Sequence, residues 1–286
     1  MLNSVAIRVP ATTANLGPGY DALGVALQIY NFVTVRRAAP AQAHQMAAEA
    51  AAQFFPASGV APFEFDWSIT GDVPRSRGMG SSVTVRLGLL HGLNELAGRP
   101  LDAPRLFQIC AALEGHPDNA APAAFGGFTV AGGPQVARFP VAPELYFILL
   151  IPDFEIATPD ARRVLPAQID RLGAARSCAN ACRITAAFAS QNYNLVRGAF
   201  EDHLHQPYRE KTLIPFLTTV ITAGEKAGAL GGFLSGSGST ICCVALENAD
   251  AIAAAMRAAS GNAGARTLIT TADNEGVHST LDTRHS

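Results

Sequence analysis

Lysine is nearly absent from this sequence. Among its 286 residues the only lysines are Lys211 and Lys226, so arginine supplies almost all of the 21 basic side chains. The glycine-rich stretch at 76–82 therefore cannot be a Walker phosphate loop, which needs a lysine for the β- and γ-phosphates. It is not the dinucleotide fingerprint either, because Val83 stands where that pattern has its third glycine.

Excess charge, paired cysteines and long apolar runs are also lacking. A net charge of -2 and a pI near 6.4 argue against nucleic acid as the partner and favour a small molecule. The five cysteines fit neither a disulfide framework nor a zinc spacing, which indicates reduced thiols. The first thirty residues do not read as a signal peptide, and no apolar run is long enough to cross a membrane. We therefore expect a cytoplasmic protein without a membrane partner.

The chain is long enough for two domains, and its patterns predict both strands and helices. Strands are expected at both ends of 5–37, on either side of a loop at 10–19, and at 63–69, 123–130 and 144–152. Helices are expected at 41–55, at 83–96 and from 103 to 114, the last with Asp102 as its cap and Pro104 in its first turn. Beyond residue 155, long helical patterns at 158–166, 175–190, 194–204 and 212–228 precede a strand pair over 231–246, a helix at 249–258 and a weak last strand. This pattern indicates a second α+β layer.

Three glycine-rich segments stand out: "PATTANLGPGYDALG" at 10–24, "PRSRGMGSS" at 74–82 and "LSGSGST" at 234–240. The second leads directly into a helical pattern. Unpaired amides and the positive end of the dipole at a helix N-terminus favour an anion even without a lysine. Taken singly, however, each segment is as well explained by an ordinary turn.

The order of the three segments is more specific than any one of them. With "EGHPDNAAPAAFGGF" at 114–128, "TPDARRVLP" at 158–166 and "HQPYREKTLIP" at 205–215, the chain resembles the GHMP kinases and, within them, the homoserine kinases. That resemblance implies an α+β fold of two domains, with the active site in the cleft between them. Residues 1–142 would form a ribosomal-protein-S5-like, nucleotide-binding domain, and residues 143–286 a ferredoxin-like layer that contributes substrate-binding residues. It also implies a homodimer.

For the cofactors, the resemblance implies ATP and Mg²⁺. Ser82 and Glu114 are the metal ligands that it implies, and a hydroxyl with a carboxylate suits Mg²⁺, which prefers a few hard oxygens. The residues implied to bind ATP are Pro74, Arg77, Gly78, Met79, Gly80, Ser81 and Ser82.

For the acceptor, the resemblance implies L-homoserine, phosphorylated on its side-chain hydroxyl as a step of threonine synthesis. Two arginines suit the carboxylate of an amino acid, and a carboxylate suits its ammonium group. The residues implied to bind it are Asn15, Asp21, His116, Thr158, Arg162, Arg209 and Gly236.

A strong general base is not identified. Asn119 occupies the place where some relatives have a catalytic aspartate, and Asp118 beside it is the alternative; with Arg162 they form the predicted catalytic set. Phosphoryl transfer depends mainly on positioning and charge stabilisation, so the proton can leave late.

Three readings of the function stay open. The stretch at 41–52 lacks the asparagine and tyrosine with which such kinases hold adenine, and Ser239 stands where the third segment usually has proline. The chain is therefore expected to be a homoserine kinase, another GHMP kinase with a different small alcohol, or a non-catalytic member that binds ligand only.

Overall fold

The structure is a computed structural model that describes residues 2–133 and 135–280. The strands are β1 (Ser4–Ala14), β2 (Leu23–Arg36), β3 (Asp66–Gly71), β4 (Phe128–Gly132), β5 (Gln135–Phe139), β6 (Tyr146–Ile151), β7 (Gly231–Leu234), β8 (Ile241–Ala245), β9 (Arg266–Thr270) and β10 (His278–Thr280). The helices are α1 (Gln45–Ser58), α2 (Ser81–Leu96), α3 (Ala103–Glu114), α4 (Ala120–Phe125), α5 (Thr158–Arg163), α6 (Arg171–Ser190), α7 (Gln206–Thr212), α8 (Leu217–Lys226) and α9 (Ala249–Ala259).

The strands form two antiparallel sheets. In the first, the order is β10-β1-β2-β4-β5, with β3 also pairing with β2; in the second it is β7-β8-β6-β9. The predicted α+β class is confirmed. The last strand, β10, returns to β1 of the first sheet. The division at 142/143 falls between β5 and β6 and stays a prediction.

Apolar packing joins the two sheets. One core cluster contains residues of β2, β4, β6 and α6, with Phe128 stacked on Phe188 at a ring-centroid distance of 4.3 Å. A second cluster lies between the first sheet and helices α1 to α4, and a third between the second sheet and helices α8 and α9. Burial on both faces explains the continuous apolar run of β6.

Helix α2 lies unusually close to the first sheet. A Cβ added to Gly88 would come within 2.4 Å of Val33, and one added to Gly92 within 2.4 Å of Val35, so the two glycines permit the close approach. The contact fixes the direction of α2, and its N-terminus is the end that carries the Gly/Ser loop. The predicted start of α3 is confirmed, since Asp102 accepts a hydrogen bond of 2.9 Å from the amide of Arg105.

Several predicted elements were wrong in type or extent. The helix expected at 194–204 is a short 3-10 turn at Tyr193–Val196 followed by irregular chain. Residues 123–125 of the expected strand at 123–130 belong to α4. The helix expected at 212–228 begins only at Leu217, as α8, because residues around Pro215 separate it from α7, which ends at Thr212. Strand β1 continues through residues 10–14, where a loop was expected, and β5 was not predicted. In the described ranges, no helix is both long and apolar enough to cross a membrane.

Candidate active site

The three glycine-rich segments meet in space. The amide of Thr12 donates to the carbonyl of Met79 at 3.2 Å, and the amide of Gly236 donates to the carbonyl of Ala14 at 3.0 Å. The hydroxyl of Ser235 donates to the carbonyl of Gly78 at 2.7 Å, which joins the second segment to the third. Three segments that lie far apart in the sequence, at 10–24, 74–82 and 234–240, therefore form one surface.

The Gly/Ser loop has a backbone that other residues would strain. Gly78 and Gly80 have φ of +70° and +69°, and a Cβ on Gly78 would lie 2.1 Å from the carbonyl oxygen of Ser235. Gly80 is the residue before α2, so the loop ends at the first turn of a 16-residue helix. Unpaired amides at the first turn of a helix favour an anion even without a cationic side chain.

A cleft of about 510 Å³ opens in front of this loop. It is lined by residues of both halves of the chain. Of the residues predicted for the site it contains Asn15, Asp21, Arg77, Gly78, Met79, Gly80, Ser81, Ser82, Glu114, His116, Asp118, Asn119, Thr158, Arg162, Arg209 and Gly236. Pro74 lies beside it, between the lining residues Val73 and Arg75.

Ser82 and Glu114 are adjacent, although 32 residues separate them. The hydroxyl of Ser82 donates to Oε2 of Glu114 at 2.9 Å, because the last residue of α3 lies beside the first turn of α2. The other oxygen, Oε1, accepts from Arg86 at 2.5 Å, and Arg86 also pairs with Glu49 at 2.9 Å. The hydroxyl and carboxylate are hard oxygen donors, so the pair fits Mg²⁺, with Arg86 as a competing partner of Glu114.

A histidine and an aspartate form a second group of polar residues in the cleft. Nδ1 of His116 lies 2.6 Å from Oδ1 of Asp118, and this hydrogen bond raises the pKa of His116. Asp118 also accepts from the amide of Asn119 at 3.0 Å, while Oδ1 of Asn119 accepts from Thr12 at 2.7 Å. Both Asp118 and Asn119 are buried, so their side chains are held in place by these contacts.

Asp21 and Arg162 form an ion pair across the cleft. NH2 of Arg162 donates to Oδ1 of Asp21 at 2.8 Å and NH1 to Oδ2 at 3.1 Å, a two-pronged arrangement. NH1 also reaches the hydroxyl of Tyr20 at 2.8 Å. Arg162 comes from α5, which begins at Thr158, whereas Asp21 belongs to the first glycine-rich segment. The pair is about one third exposed, at 38% and 33%, and remains accessible to a ligand.

Arg209, by contrast, is buried. Its Nε donates to the carbonyl of Ala161 at 3.2 Å and its NH1 to the carbonyl of Gly236 at 2.8 Å. Asn15 donates to the same carbonyl at 2.9 Å. Burial lowers the pKa of the Arg209 guanidinium, but it still lines the cleft.

One part of the cleft wall is largely apolar. It is lined by His44, Met46, Trp67 and Ile69, and the rings of His44 and Trp67 meet edge to face at a centroid distance of 4.9 Å. Trp67 is the single tryptophan of the chain. Sequence reasoning did not select these residues, because His44 lies before α1 and Trp67 in β3, and neither belongs to a glycine-rich segment.

The chain is similar to known proteins in both sequence and fold. A family model described as "GHMP kinases N terminal domain" matches residues 45–127, and one described as "GHMP kinases C terminal" matches residues 184–262. A homoserine kinase from Trichormus variabilis is 36% identical over 290 residues, which is 94% of this chain and 96% of that protein. One from Microchaete diplosiphon is 37% identical over 302 residues, covering 98% of each.

The chain belongs to the homoserine kinase family of the GHMP kinases. A crystal structure of homoserine kinase from Cytophaga hutchinsonii matches 98% of both chains with a TM-score of 0.89 at 26% identity. The family and the predicted GHMP kinase fold are thereby confirmed. As a kinase of this family the chain is a phosphotransferase, and ATP is its phosphoryl donor.

Proposed function

We propose that this chain transfers the γ-phosphoryl group of ATP to the side-chain hydroxyl of L-homoserine, giving O-phospho-L-homoserine in threonine biosynthesis. The observation that carries the proposal is the distribution of charge along one cleft. The Gly/Ser loop lines the same cleft as a pair of opposite charges, Asp21 and Arg162, and as Arg209. Such an arrangement matches a phosphate donor and a zwitterionic acceptor.

The phosphates of ATP would be bound by the loop at 78–82. Its amides hydrogen-bond anions, and the α2 dipole adds favourable charge. Arg77 donates to the carbonyls of Pro152 at 3.0 Å and Asp153 at 2.9 Å, so its side chain braces the loop against the segment after β6. Met79 is 1% exposed, so its buried side chain anchors the loop. Pro74 has a fixed φ, which restricts the backbone that leads into the loop.

Mg²⁺ would be held by Ser82 and Glu114. When bound, it supplies positive charge that offsets the charge of the phosphate oxygens. Glu114 can leave Arg86 for this role without stranding a buried cation, because Arg86 keeps Glu49 as a second partner at 2.9 Å.

The base of ATP would lie at the apolar end, against Trp67 and His44. Aromatic faces stack on a planar base at little entropic cost. These aromatic contacts would take the place of the asparagine and tyrosine with which related kinases hold adenine and which α1 lacks. Because Trp67 is the single tryptophan, its fluorescence reports nucleotide binding directly.

Homoserine would enter the Asp21–Arg162 ion pair. Its ammonium group replaces Arg162 as the partner of Asp21, and its carboxylate binds Arg162 and Arg209, so each buried charge keeps an opposite one. Asn15, His116, Thr158 and Gly236 complete the surface around the substrate. Asn15 itself is oriented by the carbonyl of Gly236 and by the amide of Asp21, which donates to its Oδ1 at 3.0 Å.

The hydroxyl proton has no single strong acceptor in this proposal. Asn119 is fixed by Thr12 and cannot take a proton, and Asp118 is engaged with His116. Positioning of the hydroxyl near the γ-phosphorus, with Arg162 contributing charge, is the main catalytic contribution of the residues. Asp118 is the fallback acceptor for a proton that leaves late.

A transfer assay tests the proposed function and its alternatives. The purified chain is mixed with ATP, GTP or pyrophosphate and with a panel of small hydroxy amino acids and alcohols. Transfer from ATP to L-homoserine above all other acceptors is expected. Preference for another alcohol would favour a different GHMP kinase, and nucleotide-induced quenching of Trp67 without transfer to any acceptor would favour a non-catalytic binding protein.

The remaining parts of the proposal concern organisation. We place the nucleotide in a domain of residues 1–142 and the Arg162 and Arg209 contacts in a domain of residues 143–286. A homodimer, a cytoplasmic location, and the lack of nucleic-acid and membrane partners are predictions from the sequence. Light scattering coupled to size exclusion tests the first of these.

A further inference from the structure

A buried histidine outside the predicted site contacts the predicted carboxylate-binding arginine. His205 lies one residue before α7, four residues before Arg209, and is 0% exposed. Its Nδ1 lies 3.1 Å from NH1 of Arg209, and its Nε2 lies 2.7 Å from the carbonyl oxygen of Gly17. The imidazole therefore joins the first glycine-rich segment to the guanidinium of Arg209.

The partners of this ring determine its tautomer. A backbone carbonyl such as that of Gly17 can only accept, so Nε2 must carry a hydrogen. A guanidinium can only donate, so Nδ1 must present its lone pair to Arg209. Only the neutral tautomer with hydrogen on Nε2 satisfies both contacts. Protonation of Nδ1 would direct one N–H group at another.

Asp202 does not alter this assignment. Its Oδ2 lies 3.5 Å from Nε2 of His205, farther than the carbonyl of Gly17 at 2.7 Å. The carboxylate already accepts from the amides of Leu204, His205 and Gln206 at 2.7, 2.9 and 2.7 Å, which fixes the start of α7. Burial also lowers the pKa of His205 to about 4, so the ring is neutral at physiological pH.

The contacts of Arg209 show what the histidine contributes. Nε donates to Ala161, and NH1 is shared between the carbonyl of Gly236 and His205. Among the described residues, none accepts from NH2, and Arg209 lines the cleft. The ring of Tyr20 packs near both side chains, 5.3 Å from the His205 ring and 5.6 Å from the guanidinium carbon of Arg209.

We propose that His205 is a positioning residue for acceptor recognition: as a neutral acceptor it fixes the plane of the Arg209 guanidinium, so that NH2 faces the carboxylate of the substrate. This inference rests on the proposed function. It adds a specificity role to a residue that would touch neither substrate nor nucleotide.

Two substitutions separate the halves of the imidazole. Asparagine places its side-chain oxygen as many bonds from Cβ as Nδ1 is, so His205→Asn keeps the acceptor for Arg209 and loses the contact with Gly17. Glutamine places its amide nitrogen where Nε2 stands, so His205→Gln keeps the contact with Gly17 and loses the acceptor. His203→Asn, two residues earlier in the same loop, is the matched control.

The experiment measures kcat and KM for L-homoserine and for 3-aminopropan-1-ol, which has the same amine and hydroxyl but no carboxylate. In His205→Gln we expect KM for homoserine to rise about tenfold or more, with kcat/KM for 3-aminopropan-1-ol near that of the parent. In His205→Asn and His203→Asn, KM for homoserine should stay within about threefold of the parent. Quenching of Trp67 by ATP should be unchanged in all three.

Two results would overturn the proposal. Equal losses for both alcohols in His205→Gln, with or without a change in Trp67 quenching, would show that the ring is merely structural. A His205→Asn variant as impaired on homoserine as His205→Gln would show that the acceptor at Nδ1 is not what matters. If the parent itself transfers nothing to homoserine, the proposed function falls and takes this inference with it, a result distinct from both.

Discussion

The Gly/Ser loop and the side chains proposed to bind the acceptor line the same cleft but are built differently. The phosphate loop is built from backbone: its amides come from five consecutive residues, 78–82, and its shape depends on two glycines with positive φ. The acceptor end is built from side chains on separate elements, with Asp21 before β2, Arg162 on α5 and Arg209 on α7. In the proposed function, anion binding therefore depends on local conformation, and acceptor selectivity depends on tertiary packing. The two can be perturbed independently.

The largest effect is expected from Arg209→Leu. If Arg209 binds the substrate carboxylate, its loss should cost about 2–5 kcal/mol in kcat/KM for homoserine, because the carboxylate is then desolvated without a partner. Steady-state kinetics measure this loss, and Trp67 quenching by ATP should be near normal. Lysine at the same position should restore only part of the activity, since an ammonium lacks the planar fork.

Arg163→Leu is the matched control, because Arg163 is 76% exposed and pairs with Asp160 on the surface of the same helix that carries Arg162. An Arg209→Leu variant that phosphorylates homoserine as well as the parent would remove the carboxylate assignment. The acceptor would then be an unidentified small alcohol.

Glu114→Gln tests the proposed metal site beside the first turn of α2. The change keeps the shape and removes the charge proposed to hold Mg²⁺, so kcat should fall roughly 100-fold or more while calorimetric binding of homoserine is retained. Glu95→Gln, the matched control, removes a carboxylate that pairs with Arg99 near the other end of α2 and should have little effect on turnover. Equal losses of turnover and homoserine binding would mean that Glu114 is structural.

Acid should destabilise the protein partly through His205. Its pKa is about 4 in the folded chain against an ordinary value of 6.5, so between these values the unfolded chain binds a proton that the folded chain does not. The contribution of His205 to the free energy of unfolding should therefore be fully present above about pH 6.5 and decrease as the pH falls toward 4. Burial is the main cause of this shift; Arg209 also lowers the pKa of His205, whereas Asp202, the carbonyl of Gly17 and Asp118 raise it.

Urea unfolding between pH 4 and 7 measures this dependence, which should be weaker in His205→Asn than in the parent. It should not vanish, because burial also lowers the pKa of His91 to about 4. The same pH dependence in both proteins would show that His205 is protonated in the folded chain.

The smallest effect on stability is expected from glycine substitutions in and outside the loop. Gly78→Ala and Gly59→Ala both place a side chain at positive φ, which costs about 1–2 kcal/mol. A Cβ on Gly78 would also overlap Ser235, whereas one on Gly59 meets no heavy atom of the described residues within 4 Å. Both should lower the free energy of unfolding, but only Gly78→Ala should weaken Trp67 quenching by ATP. Equal ATP binding by both variants would show that the loop does not bind the nucleotide.

The same contrast explains what the sequence could predict. The loop at 76–82 was found because its chemistry is local: glycines, serines and a following helix are adjacent in the chain. Placement of Glu114 beside Ser82, and of Arg162 opposite Asp21, was expected only from resemblance to a family, since contacts 32 and 141 residues apart leave no local pattern.

Other residues of the site were not predicted from the sequence for the same reason, because their contacts are distant in the sequence. Trp67 lies in the strand expected at 63–69, and nothing in that pattern places its ring in the cleft with His44. His205 stands in an irregular segment that was expected to end a helix. Arg86 was indistinguishable from a solvated helix residue until α3 brought Glu114 against it. Each gains its role from tertiary contacts alone.

The central claim is that one cleft binds phosphate through backbone amides and the acceptor through side chains. Its most direct test is a crystal structure with a non-hydrolysable ATP analogue, Mg²⁺ and L-homoserine. The account predicts the base against Trp67, the phosphates on the amides of 78–82, and the homoserine carboxylate hydrogen-bonded to Arg209. The acceptor hydroxyl should lie about 3–3.5 Å from the γ-phosphorus. Homoserine bound outside the cleft, or with its carboxylate turned away from Arg209, would contradict it.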